Sequence, residues 1–258
     1  MGSGLTQHFL FIRGLARDRR HWHVMPELLE NSISGAEVHF VDFPGFGTEF
    51  DRNSPCTIKE IVEDMRTRWL TLKTEACVGQ WSIVAISLGG MAALEWASRY
   101  PGDFQSAIVI NSSARDFSPF YYRFRPGVLF KALRALLTRN AALRERFILE
   151  MTTNLQGDLE NRAKEWSEFT RKSGFPISKI LNQLLAGARY SIPQGIPIPV
   201  LVLASEKDNL VHPNCSRALA EHLSAELCVH SDAGHDLPID APLWLVDQIK
   251  KWAVKHHC

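Results

Sequence analysis

The feature that most constrains this chain is an exchange, repeated along its length, between short apolar runs rich in β-branched residues and longer segments of helical period. Six runs read as strands: HFLFI (8–12), AEVHFV (36–41), WSIVAI (81–86), SAIVIN (106–111), PVLVLA (199–204) and AELCVH (225–230). Between most of them lie helical stretches, such as TIKEIVEDMRTRWLTL before the third and GMAALEWASRY after it, the latter stopped by Pro101 and Gly102. Strands that alternate with helices imply a mostly parallel sheet covered on both faces, an α/β fold. At 258 residues and 45% hydrophobic composition the chain can bury the large core that such a sheet requires.

One segment breaks the rhythm. From Ala114 to Gln194 no strand is evident, while helical stretches such as FKALRALLTRN and AALRERFILEMTTN follow one another. This predicts a helical insertion, a cap of residues 114–194, between two strands of a core formed by residues 1–113 and 195–258. Such an insertion would arch over the carboxyl ends of the strands, where open α/β sheets bind ligands.

Within VAISLGGMAALEWA, Ser87 stands where the chain changes from strand to helix. Ile83, Val84 and Ile86 favour the strand, Met91 to Leu94 the helix, and Ala85, Gly89 and Gly90 are small enough to let the bend be abrupt. A turn of this kind lifts the serine clear of the sheet. A nucleophilic serine needs a base, and the base needs an acid to orient it. SEKDNLVHP puts Asp208 in the loop after the fifth strand, and SDAGHDLPIDAP puts His235 after the sixth. Asp232 and Asp236, flanking His235, are less suited because sequence neighbours of a histidine seldom reach its Nδ1, and Asp103 follows a helix stop at the wrong end of the sheet.

Over almost its whole length the sequence resembles the α/β-hydrolase superfamily. The segment Ala-Ile-Ser-Leu-Gly (85–89) is similar to that family's Gly-x-Ser-x-Gly elbow, and Asp42-Phe-Pro-Gly-Phe-Gly to its Asp-x-Pro-Gly-x-Gly loop. Ala-Ser-Glu-Lys-Asp208 and Gly234-His235 match the loops carrying the acid and the histidine. The resemblance implies the α/β-hydrolase fold with a helical cap, a Ser87, His235, Asp208 triad, and an oxyanion hole made by the backbone N–H groups of Leu88 and Leu15. Ala85 and Arg13 depart from the common glycine of the elbow and the common histidine of the His-Gly pair. Size and a single helical insertion further resemble small serine esterases of the carrier-protein pimeloyl methyl ester type. The implied activity is a carboxylesterase working through an acyl-enzyme, with no cofactor. The same triad in a lyase or carbon–carbon bond hydrolase, or a ligand receptor without turnover, are the alternatives, which ester turnover and serine labelling would separate.

Arginines cluster at IRGLARDRRHW, with Arg13, Arg17, Arg19 and Arg20, and again at Arg115, Arg123 and Arg125. On solvated faces they mean little, but at a mouth they would select an acidic or carrier-protein-bound ester. Trp22, Phe120 and Tyr121, with Arg13, Arg123 and Arg125, are the expected substrate contacts, and the aromatics of 117–130 suit an apolar acyl pocket. His21 and His23 alternate, yet without a further ligand group they are expected to pack rather than bind metal. A formal charge of +1 argues against nucleic-acid and membrane-surface partners, local arginine patches excepted. No apolar run is long enough to span a bilayer or serve as a signal peptide, and five scattered cysteines (56, 77, 215, 228, 258) lack disulfide or zinc spacing, so a reducing cytoplasm is expected.

Overall fold

The protein is described by a computed structural model covering residues 6–75, 79–154 and 158–256. Cys77, His257 and Cys258 lie outside the described residues. Six strands, β1 (Thr6–Ile12), β2 (Ala36–Phe40), β3 (Gly79–Ile86), β4 (Ser106–Ile110), β5 (Val200–Ser205) and β6 (Glu226–His230), form one sheet in the order β2-β1-β3-β4-β5-β6, and every pairing is parallel.

The central strands are apolar on both sides because both sides are covered. Leu10, Ile12, Ile83, Ala85, Ala107, Val109, Val200 and Val202 point to one cluster, and the residues between them, such as Phe9, Phe11, Val84, Ile108 and Leu201, to the other. Helices α2 (Ile58–Glu75) and α3 (Leu88–Arg99) cover the first face through Ile61, Met65, Trp69 and Leu94. Helices α1 (Met25–Ser32) and α11 (Pro242–His256) cover the second through Met25, Leu29, Leu245 and Ile249.

That division places the functional end of the sheet. The chain leaves β1 for α1 on one face and leaves β3 for α3 on the other, so adjacent strands send their outgoing loops apart. A crevice opens at such a switch point, outside the carboxyl ends of the strands. Among the described residues, five α-helices and no strand come between β4 and β5: α4 (Phe120–Arg123), α5 (Leu129–Leu137), α6 (Ala141–Thr152), α7 (Leu159–Ser173) and α8 (Ile177–Arg189). Asn140 caps α6, its side chain accepting the Leu143 N–H at 3.0 Å. The short α9 (Asn214–Leu223) joins β5 to β6, and α10 (Leu237–Asp240) follows the loop after β6.

Candidate active site

Ser87 occupies the turn between β3 and α3 with φ +58° and ψ −120°, a conformation that costs a non-glycine residue about 1–3 kcal/mol and persists only where its surroundings enforce it. Here they do. The Ser87 N–H donates to the Ile110 carbonyl at 2.8 Å, and its own carbonyl accepts from Gly90 N–H at 2.9 Å and Ser112 Oγ at 2.8 Å. Glycine is obligatory at position 89, where a Cβ would lie 2.5 Å from the Arg13 carbonyl oxygen and 2.7 Å from that of Ile12. Gly14 abuts the serine from the other side: a Cβ there would stand 3.0 Å from Ser87 Cβ. The loop after β1 is thus pressed against the turn after β3.

The loops after β5 and β6 bring the two other groups together. Asp208 Oδ2 lies 2.6 Å from His235 Nδ1, with both side chains buried. Asp208 Oδ1 accepts the N–H groups of Leu210 and Val211, each at 2.8 Å, and Arg125 Nη1 donates to the Asp208 carbonyl at 2.7 Å, so the carboxylate has one orientation. With Nδ1 committed to a carboxylate, the proton-accepting nitrogen of His235 is Nε2. His235 and Ser87 border one cavity of about 370 Å³, walled by apolar side chains including Leu129, Leu133, Leu136, Ile148, Met151 and Leu184. A second cavity of about 250 Å³ meets it at Ser87 and is more polar, with Asn111, Ser112, Ser113 and Gln183 in its wall.

Backbone donors at this junction follow from the same turns. Leu88 opens α3, where a helix has no internal acceptor for its N–H. Leu15 precedes Ala16, whose φ of +56° turns the loop. Neither N–H has a partner among the described residues. Buried Gln183 of α8 holds this loop from above, its Oε1 accepting Ala16 N–H at 3.0 Å.

Several expected substrate contacts are engaged elsewhere. Arg13 borders the larger cavity, but its guanidinium makes a bidentate pair with Asp236 at 3.0 and 2.6 Å, both side chains about 95% buried at 4% and 5% exposure. Arg123 reaches the smaller cavity, yet its donors go to the Gly187 and Ala188 carbonyls and to Ser113 Oγ. Arg125 does not line either cavity at Ser87, because it holds the Asp208 loop. Trp22 is a correction too: it is fully buried among Phe11 and the second core cluster, beneath the Arg13 guanidinium, and touches neither cavity. Tyr121 faces a different hollow beside His212, whereas Phe120 does border the smaller cavity. The arginine argument for an acidic substrate therefore has no free guanidinium at the larger cavity to rest on. Arg17, which also borders it, pairs with buried Glu145 of α6 at 2.7 Å.

Of the rival acids, Asp236 is taken by Arg13, exposed Asp232 pairs with Lys207, and Asp103 binds Arg66 and Trp96 at the far end of the sheet. Asp42 accepts Arg19 N–H and Thr48 N–H, while burial raises its pKa above the usual carboxylate range. His21 is buried, and burial together with the Arg17 charge lowers its pKa, so it stands neutral between Asp18 and Arg17. Burial opposes ionisation of Asp18, but hydrogen bonds from Arg20 outweigh it and hold the carboxyl below its ordinary range. The donor atoms nearest to a metal-binding arrangement among the described residues are those of His8, Glu37 and His39, at the opposite end of β1 and β2.

Asn111 was not anticipated as a site residue. At φ +46° just beyond β4 it accepts Ser205 N–H at 2.8 Å and donates to the His235 carbonyl at 2.8 Å, tying the acid strand to the histidine loop. A cluster of polar residues, INSS, at the carboxyl end of a buried strand was the available signal.

The profile of the alpha/beta hydrolase fold matches residues 7–242. The chain belongs to the α/β-hydrolase fold family. Among curated relatives, it is 31% identical over 102 residues to the biotin biosynthesis bifunctional protein BioHC of Teredinibacter turnerae, a match that covers 39% of this chain and only 16% of that protein's length. Among solved structures, it superposes on the 2-hydroxy-6-oxo-6-phenylhexa-2,4-dienoate hydrolase of Rhodococcus sp. strain RHA1 with a TM-score of 0.74 at 22% identity, covering 97% of this chain and 90% of that one. The thermophilic esterase of Thermogutta terrifontis gives 0.70 at 21% identity, with 99% and 92% covered, and the enol-lactonase of Burkholderia xenovorans LB400 gives 0.70 at 20%, with 99% and 93% covered. At these identities the likeness establishes the fold of the α/β-hydrolase family member and leaves the substrate to the site itself.

Proposed function

We propose that this α/β-hydrolase is a serine hydrolase that cleaves a carboxylic ester with an apolar acyl chain. The observation that carries the reading is the strained Ser87 turn at the junction of two cavities, bordered by a histidine whose Nδ1 is held by a buried carboxylate.

The chemistry follows from those groups. His235 Nε2 takes the proton of Ser87 Oγ as the oxygen bonds to the ester carbonyl carbon, and Asp208 stabilises the imidazolium. The N–H groups of Leu15 and Leu88 receive the oxyanion. Collapse returns the proton from His235 to the departing alkoxide and leaves Ser87 acylated. A water molecule, deprotonated by the same nitrogen, then cleaves the acyl-enzyme and frees the acid. Residues 114–194 act as a cap, because α5, α6 and α8 supply most of the apolar wall of the larger cavity. Free thiols at Cys56, Cys215 and Cys228 suit a reducing compartment, and we assign the enzyme to the cytoplasm.

Hydrolysis of p-nitrophenyl esters of graded acyl length, with Ser87→Ala alongside, tests the proposal. The parent should hydrolyse esters of the series, with the optimum sizing the cavity, and Ser87→Ala should lose on the order of a millionfold in turnover, the scale set by removal of triad serines. Turnover within tenfold of the parent in Ser87→Ala, or failure of a fluorophosphonate to label Ser87, would overturn it.

A further inference from the structure

The formal charge of +1 conceals a division within the chain. Residues 114–194 hold fourteen Lys and Arg against seven Asp and Glu, whereas the remaining residues hold fifteen against twenty-one. The same segment also carries eleven of the sixteen large apolar side chains exposed among the described residues. Two helices concentrate both features. α5 exposes Leu129, Phe130, Leu133 and Leu137, and α8 exposes Ile177, Leu181, Leu184 and Leu185 at the spacing of one helical face. Neither helix has an acidic residue; Arg134 and Arg189 flank these faces, while Lys131 and Lys179 turn away from them, Lys131 toward Glu150 of α6 at 3.8 Å and Lys179 onto the Phe50 carbonyl.

These faces also border the site. Leu129, Leu133 and Leu184 are exposed and at the same time line the larger cavity, so they form the two banks of its mouth. Exposed apolar side chains on both banks of one cavity mouth, flanked by arginines, mark a contact surface.

We propose that the face formed by α5 and α8 docks on an anionic lipid surface, and that the ester enters the Ser87 cavity from that surface. The substrate route rests on the ester-hydrolase reading above. A second copy is a poor occupant, because two-fold pairing would set one cationic face against another. An acidic protein would satisfy the charge, but the patch is built from leucine, isoleucine and phenylalanine on helix surfaces with basic residues at their edges, the composition of helices that lie in a lipid interface. A bilayer also presents apolar acyl chains, and the wall of the larger cavity is mostly apolar. The cytoplasmic leaflet, where anionic lipid concentrates, attracts such basic clusters.

Sedimentation with vesicles of phosphatidylcholine, alone or mixed with phosphatidylglycerol, tests this, with a soluble short-chain ester assayed on the same samples. Phe130 and Leu137, at 68% and 74% exposure, lie outside both cavity walls. The parent should sediment with the anionic vesicles and lose binding in high salt, and the Phe130→Ser, Leu137→Ser double variant should bind at least about tenfold less, from the lost burial of two side chains. Turnover of the soluble ester should be unchanged in that variant, which also reports that it is folded. The docking surface is refuted if the parent ignores anionic vesicles, if the double variant binds as well as the parent, or if the patch proves to hold a homodimer that the double variant dissociates. Vesicle binding without turnover of any ester would uphold docking and sink the hydrolase reading instead.

Discussion

The buried pair Arg13–Asp236 joins the loop beside Ser87 to the loop bearing His235, and removing its negative charge is the sharpest perturbation of the site's framework. Asp236→Asn keeps the shape and leaves the Arg13 guanidinium, 4% exposed, without a counter-charge. Arg13 Nε already has no partner, so no second acceptor stands by. With the two charge centres about 4 Å apart and an effective dielectric of about 20, the lost attraction is about 4 kcal/mol, which falls within the ~3–5 kcal/mol found when one member of a buried pair is removed. For a chain of this length that should lower the melting temperature by roughly 10 °C. Urea unfolding of the parent, Asp236→Asn and the double variant Arg13→Met, Asp236→Leu measures it. The double variant should recover most of the loss, because replacing both charges removes the uncompensated one. A loss below about 1 kcal/mol in Asp236→Asn, or a double variant no more stable than the single, would refute the reasoning.

Two further outcomes are expected. At φ +58°, Ser87→Gly should unfold at higher urea than Ser87→Ala by about 1 kcal/mol, since glycine alone relieves the turn, and equal midpoints would remove the claim of strain. His21 has a folded pKa below its unfolded value through burial and Arg17, so the unfolded chain binds the proton that the native protein refuses, and stability contributed above about pH 6.5 is lost as pH falls below it. The loss is at most about 1.4 kcal/mol per pH unit. Urea midpoints at pH 7.5 and 5.5 should show a shallower dependence in His21→Gln than in the parent, and parallel slopes would assign the effect to other groups.

Much of the architecture is legible locally. The six apolar runs became the six strands nearly residue for residue, because the central strands are buried on both faces and admit few polar side chains, such as Ser82 and Ser106, which hydrogen-bond to each other. Ser87, Asp208 and His235 were legible for a related reason: each follows a strand, and parallel strands deliver all their outgoing loops to one end. The backbone at Ser87 demanded small neighbours, and Ala85, Gly89 and Gly90 advertised them, whereas the closeness of Gly14 emerges only in the fold.

Charge was the part that local reading could not assign. Arginines at 13, 17, 123 and 125 look alike in sequence, yet their partners are Asp236, Glu145, the end of α8 and the Asp208 loop, the first two 223 and 128 residues away. Whether a guanidinium faces solvent, a substrate or a buried carboxylate depends on which distant segment folds against it. Apolar pattern thus determined, from the sequence alone, where the strands, the turn and the candidate nucleophile lie. Only the tertiary structure decided that the arginines near Ser87 are spent on the framework and that Arg134 and Arg189 flank an apolar mouth while Lys131 and Lys179 are engaged elsewhere, because a charge takes its meaning from its neighbours in space and not from those in the chain.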